Sequence, residues 1–515
     1  MIIDKRYENL LVYGVSAVFI IANALLMYQG FFYLPLTALV PAVIYLAFFS
    51  LNSLFMTVVF FTPLSVELSR FVSGYPFDIS IPTEPLIIVI MLVVLLRLFH
   101  KCSVDREMLF HPLSLAVLFY LLWLFITALT STMPMVSAKF FLVRLWFILI
   151  FYFLAIKIFS RHRNIRVFLW CYILAMIPVI IYTLYSHAGY GYISQKAAPW
   201  VVRPFFNDHT AYGASLAMFI PVLTAFAFMG ISSSAGLIKN SIIPEVLVRK
   251  LKSRLPELSN KIMGAVNFRW IIWVLILFFT GALVLSFSRA AWLSILAALF
   301  IWFIIKLRIG FVPLISFTLV TALLIFVTRA DVVREMEKNT QDSSADFREH
   351  IRSITNISSD ASNLERINRW KAAMAMFDEK PIFGWGPGTY MFTYAPFQYS
   401  YDRTIISTNF GDGGDAHSEY LGPLSETGLP GMLSFMVIAV LALITGFRLL
   451  KELDKRKDKI LVTGVLLGLV TYLVHGTLNN FLHSDKAAIP FWGFIAILVA
   501  MDLYRKKTTL NKENL

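Results

Sequence analysis

Apolar residues run through this chain in long blocks, not in the short stripes of a soluble fold. Residues 10–28, 113–130, 271–285 and 460–474 are almost free of charge. A helix needs about 20 such residues to cross the hydrocarbon of a bilayer. The pattern predicts about fourteen helical spans. Their approximate bounds are 10–28, 31–49, 51–63, 84–99, 112–130, 139–159, 165–186, 209–230, 270–287, 289–306, 309–328, 431–450, 460–481 and 487–504. The span at 51–63 is short enough to be re-entrant. The block at 10–28 runs straight into further spans and reads as a retained first helix, not a cleaved signal.

Composition agrees with that pattern. The 515 residues are 58% hydrophobic and only 15% charged, against about 25% charged in a soluble protein. The net charge of +14 is not a nucleic-acid signal, because no basic soluble domain carries it. It comes from Lys and Arg in alternate connections: Lys5 and Arg6; Arg97, Lys101 and Arg106; Arg161, Arg163 and Arg166; the segment 239–269; Lys306 and Arg308; 448–459; and 505–507. The intervening connections 64–83, 131–138 and 187–208 are sparse in both residues. Basic loops stay on the cytoplasmic side, which predicts both termini inside. The expected fold is an all-α polytopic membrane protein of about 12–14 transmembrane helices with one large extracytoplasmic loop.

That reading divides the chain into residues 1–328, with a basic amphipathic loop at 231–269 suited to an anionic leaflet; the loop 329–430; and the last spans and tail, 431–515. The loop carries ten Lys or Arg and fifteen Asp or Glu, with Trp370, Trp385 and many tyrosines. That is too aromatic for a disordered tail, so it is expected to fold against the helices. Cys102 and Cys171 form neither metal spacing nor a disulfide framework.

Charges that a membrane segment tolerates poorly point to chemistry. Arg144 is expected about one turn inside the outer face, Arg289 at the break between two apolar runs, and Arg203 just before the span at 209. All three would lie at one level, with no carboxylate partner evident nearby in sequence. Arginine forks two charge-assisted hydrogen bonds to a phosphate and stays protonated. His417, in Asp415-Ala416-His417-Ser418-Glu419-Tyr420, is a candidate general base, with Asp415 or Glu419 to orient it. Arg366 and Arg369 lie on a short amphipathic helix before a glycine-rich turn, Gly384-Trp385-Gly386-Pro387-Gly388. That turn lacks the strand–loop–helix context and Lys of a phosphate loop. Asp208-His209 and His483-Ser484-Asp485 lack the spacing of a metal site.

In order and spacing these segments resemble the O-antigen ligase superfamily, which includes O-antigen polymerases and bacterial protein O-oligosaccharyltransferases. The resemblance is carried by Arg203…Phe206-Asn207-Asp208-His209, by Ser288-Arg289-Ala290-Ala291-Trp292, and by Arg366…Trp370…Gly384-Trp385-Gly386. It continues through Ala416-His417-Ser418-Glu419-Tyr420 and Glu426-Thr427-Gly428-Leu429-Pro430-Gly431. Many members have Asn after the histidine, where this chain has Ser418, and ligases typically have fewer spans.

The resemblance implies a glycosyltransferase-C-like membrane enzyme in a bacterial inner membrane. It would transfer a glycan from undecaprenyl diphosphate on the extracytoplasmic face, with no cofactor or metal. It assigns His417 as catalytic base and Arg203, Arg289 and, less directly, Arg144 to the diphosphate. Asp415, Glu419, Arg366, Arg369 and His209 would support them. The acceptor hydroxyl stays open among lipid A core, another glycan repeat, and a protein Ser or Thr. A transporter is the competing class, but it gathers charges near the midplane on broken, repeated helices, a pattern this sequence lacks.

Overall fold

The computed structural model describes residues 39–70, 79–100, 105–229, 268–307, 361–399, 407 and 414–513, together with Ile21 and Leu25. The expected span at 10–28 apart from Ile21 and Leu25, the span at 309–328, most of the basic loop 231–269, and the first part of the large loop, 329–360, lie outside these residues. The described chain is an all-α polytopic membrane protein. Eight of its helices are long and apolar enough to cross a membrane.

In chain order the main elements are α1 (Leu39–Phe49), α2 (Leu51–Phe61), a small hairpin of β1 (Val66–Glu67) and β2 (Ser80–Ile81), and α3 (Thr83–His100). Next come α4 (Pro112–Leu129), α5 (Pro134–Ile158), α6 (His162–Ala188) and α7 (His209–Phe228). They are followed by α8 (Phe268–Leu285), α9 (Arg289–Lys306) and α10 (Ala361–Glu379). The chain closes with α11 (Leu421–Glu452), α12 (Arg456–His475) and α13 (Asp485–Glu513). The hairpin is antiparallel, with Val66 opposite Ile81 and Glu67 opposite Ser80.

Local chemistry sets several boundaries. Pro112 opens α4 at a position that needs no amide hydrogen, and His111 Nδ1 accepts from the Leu113 amide at 3.3 Å. Asp208 caps α7 through the Thr210 amide. A turn of π-helix at Leu149–Leu154 interrupts α5.

The central helix is α13. Its residues 485–505 are buried almost throughout, with Trp492 packed against Tyr120 and Tyr152. Between α7 and α12 the backbones approach closely, because Gly464 and Gly468 face Pro221 and Met218. Small residues drive helix association where lipid supplies no hydrophobic gain.

The connections sort to two ends. At one end, called here the loop end, lie 62–70 and 79–82, 130–133, 189–208, 286–288, 380–399 and 414–420, and 476–484. At the other, Asp502 is fully buried and takes Arg448 at 2.5 Å and His111 at 3.2 Å, tying α13 to α11 and α4. The short helix α2 has 11 residues, about 16 Å of helix. It starts beside Phe48, whose carbonyl takes Arg97 from the far part of α3. It ends at Thr62–Ser65, which accepts three hydrogen bonds from Lys486 at the loop end.

The helix α11 kinks at Gly428, with φ 69° and ψ −175°. A Cβ there would collide with the backbone of Pro381 and Ile382. Gly428→Ala is therefore expected to destabilise the protein by about 2–4 kcal/mol. Detergent size-exclusion and thermal melting would report it. A wild-type profile would show that the turn yields at no cost.

Candidate active site

Four segments converge at the loop end: 203–209 leading into α7, the break Ser286–Arg289, the helix α10, and 414–421 leading into α11. The last of these presents His417.

Its backbone is in the left-handed region, φ 47°. Only one other described non-glycine residue shares that conformation, Phe287 at φ 52°, beside Ser288-Arg289. Such conformations persist where surroundings hold them. Here Asp415 does the holding: its Oδ1 accepts from the His417 amide at 2.9 Å and lies 3.3 Å from His417 Nδ1. The Asn480 amide nitrogen, oriented by its hydrogen bonds, donates to both Asp415 oxygens at 2.9 Å. The His417 side chain keeps about a third of its surface exposed, 34%, so a substrate can reach it.

Electrostatics bind the cluster together. Burial holds His417 below the ordinary imidazole value; Asp415 and Asp208 pull it up, and Arg366 and Arg369 push it down. Arg366 is lowered by burial, against Asp208 and Asp415. Burial would raise Asp208, but its contact with His209 and its bonds from Thr210 outweigh that and hold it well below the carboxylate range. His209 Nδ1 lies 2.8 Å from Asp208 Oδ1. Arg289, the first residue of α9, is within electrostatic range of Arg366. Two cations held that close favour a ligand of high negative charge.

Other expected residues have different surroundings. Arg369 is buried, donates to Glu365 at 2.8 Å and to the Asp415 carbonyl at 3.1 Å, and packs over Tyr394. It braces the segment before His417. Gly414 leaves room for it, since a Cβ there would strike the guanidinium. Arg203 is exposed, over the face of Trp200 at 4.9 Å.

Arg144 departs from expectation. Because α5 begins at Pro134, Arg144 lies ten residues into the helix, about 15 Å along it, not one turn. Carboxylates are also nearby: it lines a small cavity with Glu419 and Glu426 and donates to the Leu482 carbonyl at 3.0 Å. The chain order hides this, since those partners sit about 275 to 338 positions away.

Glu419 likewise does not face the histidine ring. Its Oε1 accepts from Tyr472 Oη at 2.7 Å and from the amides of Phe481 and Leu482 at 2.8 Å each. It anchors the His417 segment to the loop between α12 and α13. Sequence reasoning missed Arg70 and Glu67, which bracket Asn207; His475, expected near the outer face, is buried near Ala290 and Arg366. Nothing in spacing alone links these. Among the described residues, no group of three or more His, Cys, Asp and Glu is arranged to hold a metal.

Glu419→Ala would leave the buried Leu482 amide and Tyr472 hydroxyl without their acceptor and weaken the hold on Phe481, at a cost of about 2–3 kcal/mol. A fall in melting temperature with Glu419→Gln in between is the expected series. Equal melting of all three would remove the anchoring role.

No curated protein matches the chain significantly. Residues 273–436 match the family model described as O-Antigen ligase. That stretch contains Arg289, Arg366, Arg369, Asp415, His417 and Glu419, and leaves Arg144, Arg203 and His209 outside it. The protein is thus a polytopic membrane protein whose segment 273–436 matches the O-antigen ligase family.

Proposed function

We infer that this protein is a membrane glycosyltransferase that transfers or polymerises a glycan carried on undecaprenyl diphosphate. The acceptor is a hydroxyl, and the loop end faces the exterior of a bacterial inner membrane. The observation that carries the reading is the Asp415–His417 pair, reachable by substrate, beside the cations Arg289 and Arg366.

The chemistry follows from that arrangement. The acceptor oxygen attacks the anomeric carbon as the bond to the diphosphate oxygen breaks, and the bond electrons leave with the diphosphate. The acceptor proton passes to His417 Nε2. Asp415 beside Nδ1 favours the tautomer that carries its proton there, which frees Nε2 as the base. Arg289, Arg366 and the exposed Arg203 stabilise charge on the departing diphosphate, as preorganised cations do in a partly dry site. A diphosphate needs no acid to leave, so one base is enough and the anomeric centre inverts. Arg144 and Arg369 support the site as partners of buried carboxylates and carbonyls. A lipid A core sugar, another lipid-linked repeat and a protein Ser or Thr are all hydroxyl acceptors that this chemistry accepts.

His417→Ala should lower glycan transfer by about 10²–10⁴-fold while expression and membrane insertion stay normal. Transfer by that variant at the wild-type rate would remove His417 from catalysis.

The pH profile carries the second test. A base works deprotonated, and burial holds His417 below 6.5. Activity should therefore be on its plateau at pH 7 and fall only below pH 6.5. Asp415→Asn removes a carboxylate that raises the imidazole, so its acid limb should move further down while the plateau rate drops. An acid limb that moves up in Asp415→Asn would contradict the pairing.

A further inference from the structure

Trp123 lies on α4 six residues before the loop end of that helix at Leu129, about 9 Å along the axis. It donates from Nε1 to the Thr427 carbonyl at 2.8 Å, itself six residues inside α11. Phe383, from the large loop, stacks on the Trp123 ring at 5.6 Å with the planes 10° apart. The Leu429 amide, just past the α11 kink, donates to the Pro381 carbonyl at 2.9 Å. The turn 381–383 thus lies below the ends of the two helices that flank it.

The turn is fixed there. Trp385 and Gly386 amides donate to the Ser425 and Glu426 carbonyls at 3.1 and 2.8 Å. The Trp385 carbonyl accepts from the Thr132 amide at 3.0 Å. A Cβ on Gly384 would collide with the backbone of Glu426 and Thr427. Yet Ile382 is 58% exposed and Phe383 43% exposed. Their exposed surface continues onto Leu429 and Leu433 of α11 and Leu122 of α4, which are also uncovered. These are outward faces of helices that cross the membrane.

We propose that the turn Pro381-Ile382-Phe383 is a membrane-inserted wedge whose occupant is the acyl-chain region of the adjoining leaflet. Asp378 and Glu379, both exposed, immediately precede it and mark where the chain leaves water. The large loop is then seated in the bilayer through its own apolar residues. Through Ser425–Leu429 the wedge sets the height of the segment that carries His417. The reading depends on the bundle spanning a bilayer and is independent of the reaction.

The test uses the full chain with Cys102→Ser and Cys171→Ser, in vesicles of phosphatidylcholine and phosphatidylglycerol. An environment-sensitive fluorophore is attached at Ile382→Cys or at Glu379→Cys. Both side chains are exposed, so the packing survives the label. The label at 382 should be quenched by acyl-chain spin-labelled lipid several-fold more than by aqueous cobalt, and the label at 379 should show the reverse. Quenching at 382 by cobalt to the same extent as at 379 would overturn the proposal. The result does not depend on glycan transfer, so it stands apart from the catalytic assignment.

Discussion

A single buried carboxylate, that of Glu419, makes the geometry of the site possible. Its Oε1 gathers the Tyr472 hydroxyl and the amides of Phe481 and Leu482, and its own amide donates to the Gly476 carbonyl at 2.8 Å. A carboxylate inside a membrane protein is costly unless several donors meet it. Here they come from the connection between α12 and α13, so forming the bonds locks that connection to the chain two residues past His417. The left-handed conformation of His417 is then supported from both sides, by Asp415 before it and Glu419 after it.

On that platform the charges arrange themselves by function of place. Arg144 and Arg369 are buried, Arg144 donating to the Leu482 carbonyl and Arg369 to Glu365 and the Asp415 carbonyl, and they brace segments. Arg289 and Arg366 lie near each other with Asp208 and Asp415 in range. Like charges held in a partly buried site repel, and an anionic ligand with several oxygens relieves that repulsion better than single carboxylates do. This is the physical basis for the proposed diphosphate at the loop end, next to a histidine whose pKa burial holds below the ordinary imidazole value.

Much of the fold was legible because membrane insertion writes itself into the sequence as block hydrophobicity and alternating basic loops. The helices α4 and α6 to α9 fall close to their expected bounds, whereas α5 and α11 start five and ten residues early, α12 ends at His475 and α13 runs on to Glu513. The ambiguity at 51–63 came from length alone. Arg97 lies near one end of α2 and Lys486 near the other. His417 with Asp415 was legible because the two are neighbours in the chain. The roles of Arg144 and Glu419 were not, because their partners are hundreds or tens of residues away and only packing brings them together. Nor did any pattern announce the seating of Ile382 and Phe383 beside Trp123, since a lone apolar pair in a polar loop has no periodicity to read.

The central claim is direct displacement assisted by one base, His417, with no glycosyl-enzyme intermediate. The most direct measurement is the anomeric configuration of the bond formed by the purified protein from a lipid diphosphate donor of known configuration, read by NMR of the product. Inversion is the outcome this account predicts. Retention would require a second nucleophile and would contradict it.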